Sequence, residues 1–320
     1  MLPILLRILG VAAGGLILNK ILTEDEENYN DMANTHNYFL KFEQNISLTP
    51  SKKAKLIASR KALQDRIVKY FSLFADFPTP KFYIQGSYKM KTMVLDKEGT
   101  YDVDLGVYFL KNYPLQYVPS TIQNHVANAV RMQTIDGVEH RDKCVRVRYR
   151  GDFDIDLPVY YKTPYDNPYL ATKSLWQKSD PKELCDWFEN QRKIKDTNGQ
   201  ILRLIKYFKV WANNRARKMP SGIAFTVWVT ENYKSNSRDD IAFYETARSI
   251  KSKLSWGVSC RNPATPFDDL TSKLDSIQKR NFIEALDNLI AEAEIALKQE
   301  SHQKALAIWN KHIGNKFPVI

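Results

Sequence analysis

Two short acidic segments within apolar runs place the strongest constraint on how this chain can fold. Residues 101–110 read YDVDLGVYFL and residues 153–161 read FDIDLPVYY, and both alternate as β-strands do. Successive residues of a strand point to opposite faces, so Asp102 and Asp104 share one face while Val103 and Leu105 face a core. The two Cα atoms then lie roughly 6–7 Å apart. Two acids so placed repel each other unless a positive group lies between them.

Carboxylates at this spacing can hold one hard cation, or two cations that share ligands. Mg²⁺ suits such an oxygen site, and it also takes water and substrate phosphates as ligands. A third acid is needed to fix two ions for an in-line phosphoryl displacement. Asp154 and Asp156 of the second segment alternate with Asp152, which directly precedes it, so we expect all three on one face of this strand. We predict Asp156, which directly precedes the apolar LPV, as the third ligand, and Asp154 is the nearest alternative. For either acidic pair alone, a solvated strand face would be the better explanation.

A Gly-Ser pair, Gly86-Ser87, follows the strand pattern at residues 82–85 and precedes the first acidic segment. Glycine lets the backbone approach a phosphate closely, and the serine hydroxyl and neighbouring amides can donate to its oxygens. No GxxxxGK[ST] or GxGxxG motif occurs in the required context, so the sequence supports neither a Walker-type NTPase nor a dinucleotide site.

Strand patterns concentrate in the first half of the chain and helical periodicity in the second. Helices are predicted after the cap at Thr49 or Ser51, near residues 125–132, and over residues 183–194, 201–213 and most of 270–312, whereas residues 222–233 fit a helix or a strand. This order predicts an α+β fold in two lobes rather than alternating βαβ units. We expect a first lobe over residues 23–165, which contains the strands and a long N-terminal helix, and a mainly helical second lobe over residues 166–320.

Residues 1–22 are apolar apart from Arg7, Asn19 and Lys20, and the acidic TEDEEN follows. A spanning helix needs about 20 apolar residues, so this segment barely qualifies. A membrane anchor, a secretory signal and a docking arm compete, with a cytosolic extension as the fourth reading. The early arginine and the lack of a good cleavage site argue against a cleaved signal. We expect a cytoplasmic protein, with this segment as a tether to the inner membrane or a docking arm.

The chain of 320 residues is basic, with 47 Lys and Arg against 36 Asp and Glu, a net charge of +11. This excess suggests a polyanionic partner, namely nucleotides, nucleic acid or an anionic membrane, or simply solvated surface lysines. The three cysteines form no CxxC pair and the five histidines have no zinc spacing, which argues against a disulfide framework or a zinc finger. Arg146, Arg148 and Arg150 alternate beside the second acidic strand, where cross-strand salt bridges and phosphate contacts are equally plausible roles.

Taken together, five segments resemble the bacterial cyclic-oligonucleotide synthases, the cGAS/DncV-like nucleotidyltransferases or CD-NTases of anti-phage (CBASS) signalling. They read GSYKMKT, YDVDLGVYF, FDIDLPVYY, ILRLIKYFKVW and PSGIAFTVWVTENY, and the resemblance extends from about Asn37 to the C-terminal IGNKFP. It implies a polymerase-β-like nucleotidyltransferase core, a helical second lobe and an active site in the cleft between them.

The resemblance also implies roles for particular residues. Asp102, Asp104 and Asp156 match the family's catalytic metal triad for two Mg²⁺ ions, with Mn²⁺ as a substitute. The residues that match nucleotide contacts are Gln85, Gly86, Ser87, Lys206 and Ser221, and more loosely Arg146 and Asp268. For Lys206, a solvated lysine on an amphipathic helix is an equal alternative.

The implied reaction joins NTPs into a cyclic di- or trinucleotide with release of pyrophosphate, and the product activates a separate effector. A regulatory partner, a nucleic-acid activator and membrane contact through residues 1–22 are further expectations. Two alternatives remain open: a nucleotidyltransferase that makes linear oligonucleotides or modifies RNA or small molecules, and an inactive nucleotide- or RNA-binding module. The intact acids argue against the second.

Overall fold

The computed structural model describes residues 32–111, 117–196 and 198–318. The predicted membrane-contacting segment at residues 1–22 lies outside these residues. Within them, no helix is both long enough and apolar enough to cross a membrane.

A mixed eight-stranded sheet forms the first half of the fold. Its strands run in the order β3-β4-β5-β2-β6-β7-β8, and β1 pairs with β2. The central strand β2 is parallel to both β5 and β6, and antiparallel to β1. The strands are β1 (Lys81–Gln85), β2 (Asp102–Leu110), β3 (Val138–His140), β4 (Val145–Tyr149), β5 (Phe153–Leu157), β6 (Val159–Lys162), β7 (Tyr169–Ala171) and β8 (Trp176–Lys178).

Helices dominate the second half, as the sequence predicts. A two-stranded hairpin, β9 (Arg261–Asn262) and β10 (Thr265–Asp269), lies among them. The helices are α1 (His36–Ile46), α2 (Pro50–Phe71), α3 (Gly86–Lys89), α4 (Pro119–Val130), α5 (Pro181–Lys195), α6 (Gln200–Asn213), α7 (Gly222–Asn232), α8 (Asp239–Lys253), α9 (Ser276–Leu297) and α10 (His302–Ile313), with a 3₁₀ turn at Leu254–Trp256.

One face of the sheet is apolar and packs against α2 and α4. Val103, Leu105 and Ile155 are buried there together with apolar residues of both helices. Because the strand period is two residues, burial of these side chains places the acids that alternate with them on the opposite face. The α+β prediction is therefore confirmed. The acidic residues of the two segments lie on the polar face of the sheet.

A second apolar core joins the helices of the second half. It includes Phe39 and Phe42 of α1, which pack with Tyr207 of α6 and Phe317 near the C-terminus. The first described helix therefore belongs to the helical core, although it precedes the sheet in sequence, and the sheet itself continues past residue 165 to Lys178. The lobe boundaries at residues 165 and 166 therefore stay a prediction. The packing shows that α1, from the predicted first lobe, joins the helical core.

Candidate active site

Four carboxylates meet on the polar face of the sheet. In the parallel β2–β5 pair, Asp102 lies opposite Asp154, and Asp104 lies opposite Asp156. The Asp102 side chain is 60% exposed, whereas those of Asp154 and Asp156 are 22% and 14% exposed. The two strand patterns thus bring both predicted pairs into one cluster, which we call the acidic cluster (Asp102, Asp104, Asp154 and Asp156).

Asp152 is not part of this cluster. It precedes β5, and its carboxylate accepts hydrogen bonds from Lys52 (3.2 Å) and Lys55 (2.7 Å) of α2. The sequence placed it on the same face as Asp154 and Asp156. That expectation was wrong for Asp152, because the turn at Gly151, whose φ is +73°, directs this residue toward α2 instead.

Arg146 of β4 is the counter-ion of the acidic cluster. It lies opposite Asp156 in the antiparallel β4–β5 pair. Its Nε and Nη2 both donate to Asp156 at 2.7 Å, its Nη1 donates to Asp154 at 2.9 Å, and its Nη2 also reaches Asp102 at 3.0 Å. Of the two roles that the sequence left open, the structure shows the cross-strand salt bridge. Arg148 pairs with Glu139 instead, and Arg150 with Asp136.

Asp104 is the member of the cluster that Arg146 does not touch. Burial, and then the charges of Asp156 and Asp102, raise the pKa of Asp104 to about 7. A carboxyl group held in this state binds a proton readily, and it would also gain most from a nearby divalent cation. The negative charge of Asp104 is therefore poorly compensated within the cluster.

The Gly86-Ser87 turn lies directly against Asp104. Gly86 has φ +64°, a conformation that favours glycine. A Cβ at Gly86 would lie 2.2 Å from Asp104 Oδ2, so only glycine leaves room for this carboxylate. The turn opens α3, a single helical turn, and Thr92 N donates to the Ser87 carbonyl at 2.9 Å. The sequence prediction that this turn accompanies the acids agrees with the geometry.

Gln85 is buried beside the turn, and its side-chain amide bonds to two tyrosines of the protein rather than facing the cavity. Its Nε2 donates to Tyr160 Oη at 3.1 Å, and its Oε1 accepts from Tyr108 Oη at 3.2 Å. The two tyrosine rings stack with centroids 4.4 Å apart. Gly106 provides the space, since a Cβ there would lie 2.7 Å from Gln85 Oε1. The predicted nucleotide contact is thus placed as a support of the turn.

A cavity of about 430 Å³ separates this turn from the helical half. One wall carries Gly86, Ser87, Asp102 and Asp104. The opposite wall is formed by α6 and α7, through residues that include Lys209 and Gly222. The site therefore lies in a cleft between sheet and helices, which is the arrangement that the family resemblance implied.

Lys209 is the cationic group of the helical wall, and the sequence prediction missed it. It is buried, and its Nζ donates to the carbonyl and to Oγ1 of Thr92, both at 3.0 Å. Burial, with a smaller contribution from the charge of Lys206, lowers the pKa of Lys209 to about 7. A signal was present: Lys209 follows the buried Ile205 by four residues and so lies closer to the apolar stripe of α6 than Lys206 does.

Lys206, the predicted phosphate contact, is engaged elsewhere. Its Nζ pairs with Glu43 of α1 and donates to Ser47 Oγ at 3.0 Å. It is not among the residues that line the cavity. Lys209, three residues further along α6, lines the cavity instead, and the phosphate contact of Lys206 stays a prediction.

The two remaining predicted contacts occupy different surroundings. Ser221 caps α7, since its side chain accepts from Ala224 N, and it directly precedes the cavity residue Gly222. Asp268 is exposed on β10, where it accepts a hydrogen bond from Asn262 Nδ2 at 3.4 Å. The structure brings Ser221 next to the cavity and leaves Asp268 outside it.

The donor set fits a divalent cation, although it is not arranged as a finished metal site. Within the described residues, no group of three or more His, Cys, Asp and Glu side chains has the geometry to hold a metal ion. In this arrangement Arg146 occupies both oxygens of Asp156 and one oxygen of Asp102. The oxygen-only chemistry and the space that Gly86 leaves around Asp104 are nevertheless those that Mg²⁺ requires.

A mixed sheet, acids on two parallel strands, a glycine-serine turn and a helical second half are together the features of a polymerase-β-like nucleotidyltransferase fold. Three comparisons support the class. Residues 80–160 match the family model for the nucleotidyltransferase domain described as cyclic GMP-AMP synthase DncV-like. The structure superposes on Vibrio cholerae DncV cyclic AMP-GMP synthase in complex with nonhydrolyzable GTP with a TM-score of 0.75, at 19% identity, covering 89% of this chain and 97% of that one.

Curated relatives point the same way. A cyclic GMP-AMP synthase from Escherichia albertii is 33% identical over 201 residues, which are 57% of this chain and 44% of that protein. A cyclic AMP-AMP-AMP synthase from an Acinetobacter strain is 24% identical over 250 residues, 74% of this chain and 72% of that protein. The match thus spans less than half of the first relative's length. In its matched domain and in its fold the chain resembles the CD-NTases, as its motifs predicted.

Proposed function

We propose that this protein is a metal-dependent nucleotidyltransferase that joins NTPs into a cyclic di- or trinucleotide and releases pyrophosphate. One observation carries the proposal. Asp102 and Asp104 line one wall of the cleft together with the Gly86-Ser87 turn, and a buried lysine, Lys209, lies on the other wall. Asp156 lies beside Asp104 on the neighbouring strand. This is the arrangement that a triphosphate and its counter-ions need.

Asp102, Asp104 and Asp156 are the proposed metal ligands. Asp154 is a further carboxylate beside them and adds negative charge to the site. Two Mg²⁺ ions, or Mn²⁺ in their place, would supply charge neutralisation of the pyrophosphate and a lower pKa for the attacking ribose hydroxyl. Asp104 is the residue whose charge most needs this compensation, since burial and its acidic neighbours raise its pKa to about 7.

The Gly86-Ser87 turn is proposed to hold the triphosphate. Its glycine permits close backbone approach, and the Ser87 hydroxyl can donate to a phosphate oxygen. Gln85, fixed between Tyr108 and Tyr160, keeps the turn in register with Asp104, which lies opposite Gln85 in the β1–β2 pair. The chain therefore positions the phosphates and the carboxylates from the same pair of strands.

Lys209 is proposed as the phosphate contact across the cleft, in place of Lys206. In the structure its ammonium donates to Thr92 and has no carboxylate among its hydrogen-bond partners. A triphosphate would supply the negative charge that this buried ammonium lacks, and it would favour the protonated form of the lysine. Ser221, at the start of α7 beside Gly222, is the proposed second contact on this wall.

Ring closure requires a second transfer in the same site. The names of the curated relatives, a cyclic GMP-AMP and a cyclic AMP-AMP-AMP synthase, support a cyclic product. We propose accordingly that the product acts on a separate effector in anti-phage defence. We further propose the division into two lobes, a cytoplasmic location with membrane contact through residues 1–22, a regulatory partner and a nucleic-acid activator.

The test is incubation of the full chain with Mg²⁺ and four labelled NTPs, followed by phosphatase treatment. Pyrophosphate release and a phosphatase-resistant product support cyclic synthesis. A linear or tailed product would instead support the alternative nucleotidyltransferase, which shares this fold. Absence of pyrophosphate release would favour an inactive nucleotide-binding module.

A further inference from the structure

The guanidinium of Arg146 occupies the ligands that a metal would need. It makes four hydrogen bonds of 2.7–3.0 Å to Asp102, Asp154 and Asp156, and its side chain is only 11% exposed. Both oxygens of Asp156 and one of Asp102 are engaged in this way. This contact is specific, because the planar fork of arginine matches a carboxylate in two parallel bonds.

Arg146 cannot release these oxygens by losing its proton. Its hydrogen bonds to Asp156 raise the pKa of this guanidinium, which is already far above neutrality. A divalent cation that binds Asp102 and Asp156 must therefore displace the side chain, or accept a positive charge at close range. Either course raises the free energy of the metal-bound protein and so weakens the binding of the cation.

We propose that Arg146 is a built-in competitor of the metal: it holds the acidic cluster together in the metal-free protein and must withdraw before the cluster binds a divalent cation. As a positioning residue it keeps the carboxylates of Asp102, Asp154 and Asp156 at a spacing that these like charges would not otherwise maintain. The inference rests on the proposed function, because it takes these carboxylates as the metal ligands.

Arg148 offers a matched control on the same strand. It stands opposite Asp154 in the β4–β5 pair, two residues from Arg146, so both arginines point to the polar face. Its guanidinium pairs with Glu139 and makes no hydrogen bond to the cluster among those described, and its side chain is 49% exposed. Removing its charge changes the local field but leaves the metal ligands' own bonds intact.

The experiment measures Mn²⁺ binding to the full chain, without nucleotide, by electron paramagnetic resonance and calorimetry. Arg146→Gln should bind Mn²⁺ at least tenfold more tightly than the wild type, which is about 1.4 kcal/mol. Arg146→Lys, which keeps the charge but loses the fork, should fall between them. Arg148→Gln should stay within about twofold of the wild type, since screening by solvent weakens exposed charges.

Thermal unfolding supplies a second readout. Metal-free Arg146→Gln should unfold at a lower temperature than the wild type, and saturating Mn²⁺ should close this gap, because the lost ion pairs exist only without metal. Arginine Nε resonances of the labelled wild type test the same idea without a variant: the Arg146 signal should shift on addition of Mg²⁺.

Unchanged or weaker Mn²⁺ binding by Arg146→Gln, or an Arg146 resonance that ignores Mg²⁺, would overturn the inference. The proposed function would survive this result if the wild type binds Mn²⁺ saturably and Asp102→Asn abolishes that binding. Absence of saturable binding in the wild type would overturn both.

Discussion

Replacing Gly86 by alanine should have two effects. It strains the backbone of the turn, and it places a Cβ against the Asp104 carboxylate. Gly86 has φ +64°, and a left-handed conformation costs an ordinary residue about 1–2 kcal/mol. The new Cβ would lie 2.2 Å from Asp104 Oδ2. An ordinary contact is roughly 1 Å longer, so the carboxylate must rotate away from its position by about that distance.

Rotation of one carboxylate costs little folding free energy, but it moves a proposed metal ligand. A misplacement of about 1 Å can reduce an enzymatic rate roughly 100-fold. Gly86→Ala should therefore lose about 1–2 kcal/mol of unfolding free energy in urea, from the backbone conformation, and about 100-fold in the rate of pyrophosphate release.

Gly137→Ala is the matched control. Gly137 has φ +84°, and a Cβ there would meet no atom within 4 Å. It should lose a similar unfolding free energy and keep its rate within about twofold, because it is outside the cleft. Equal rates for the two variants would refute the argument that Gly86 is required by Asp104.

Three further predictions follow from the cleft. Lys209→Met should raise the KM for NTPs at least tenfold, as expected for a lost charge-assisted contact. Lys206→Met should change the KM less than threefold, because Lys206 pairs with Glu43. Equal effects of the two substitutions would contradict the proposal that Lys209, rather than Lys206, contacts the phosphates. The lowered pKa of Lys209, about 7, means that the unfolded chain binds more protons between pH 7 and pH 10.5. Wild-type stability should therefore rise relative to Lys209→Met across that window, as measured by thermal unfolding, and a constant difference would show that Lys209 is already charged or exposed. Tyr160→Phe should cost about 1–3 kcal/mol in urea unfolding, because Gln85 Nε2 would lose its partner in a buried site, and no loss would show that water replaces the hydroxyl.

The acidic cluster was predictable because a strand has a strict period of two. Alternation alone placed Asp102 with Asp104 and Asp154 with Asp156, and apolar residues between them fixed which face is buried. The period fails at Asp152, where a turn with positive φ ends the strand pattern. The α+β order of elements was likewise readable from where strand and helix periodicities occur.

Contacts between distant segments were not readable in this way. On α6, Lys206 and Lys209 are three residues apart, and both are basic residues on an amphipathic helix. Glu43, which is more than 160 residues away in sequence, pairs with Lys206, and Thr92 accepts from Lys209. The roles of Gln85 and Arg146 also depend on side chains from other strands, which one sequence does not place. α1, α8 and the β9–β10 hairpin were not predicted from the sequence, although Phe39, Phe42 and Ile46 of α1 do follow a helical spacing.

The central claim is that the acidic cluster transfers nucleotides to form a cyclic product. Mass spectrometry of the product formed from Mg²⁺ and four NTPs tests it most directly, with Asp102→Asn/Asp104→Asn as the matched inactive variant. We predict a phosphatase-resistant cyclic di- or trinucleotide from the wild type and none from the variant. Product formation that survives the double substitution, or a product that is only linear, would contradict the account.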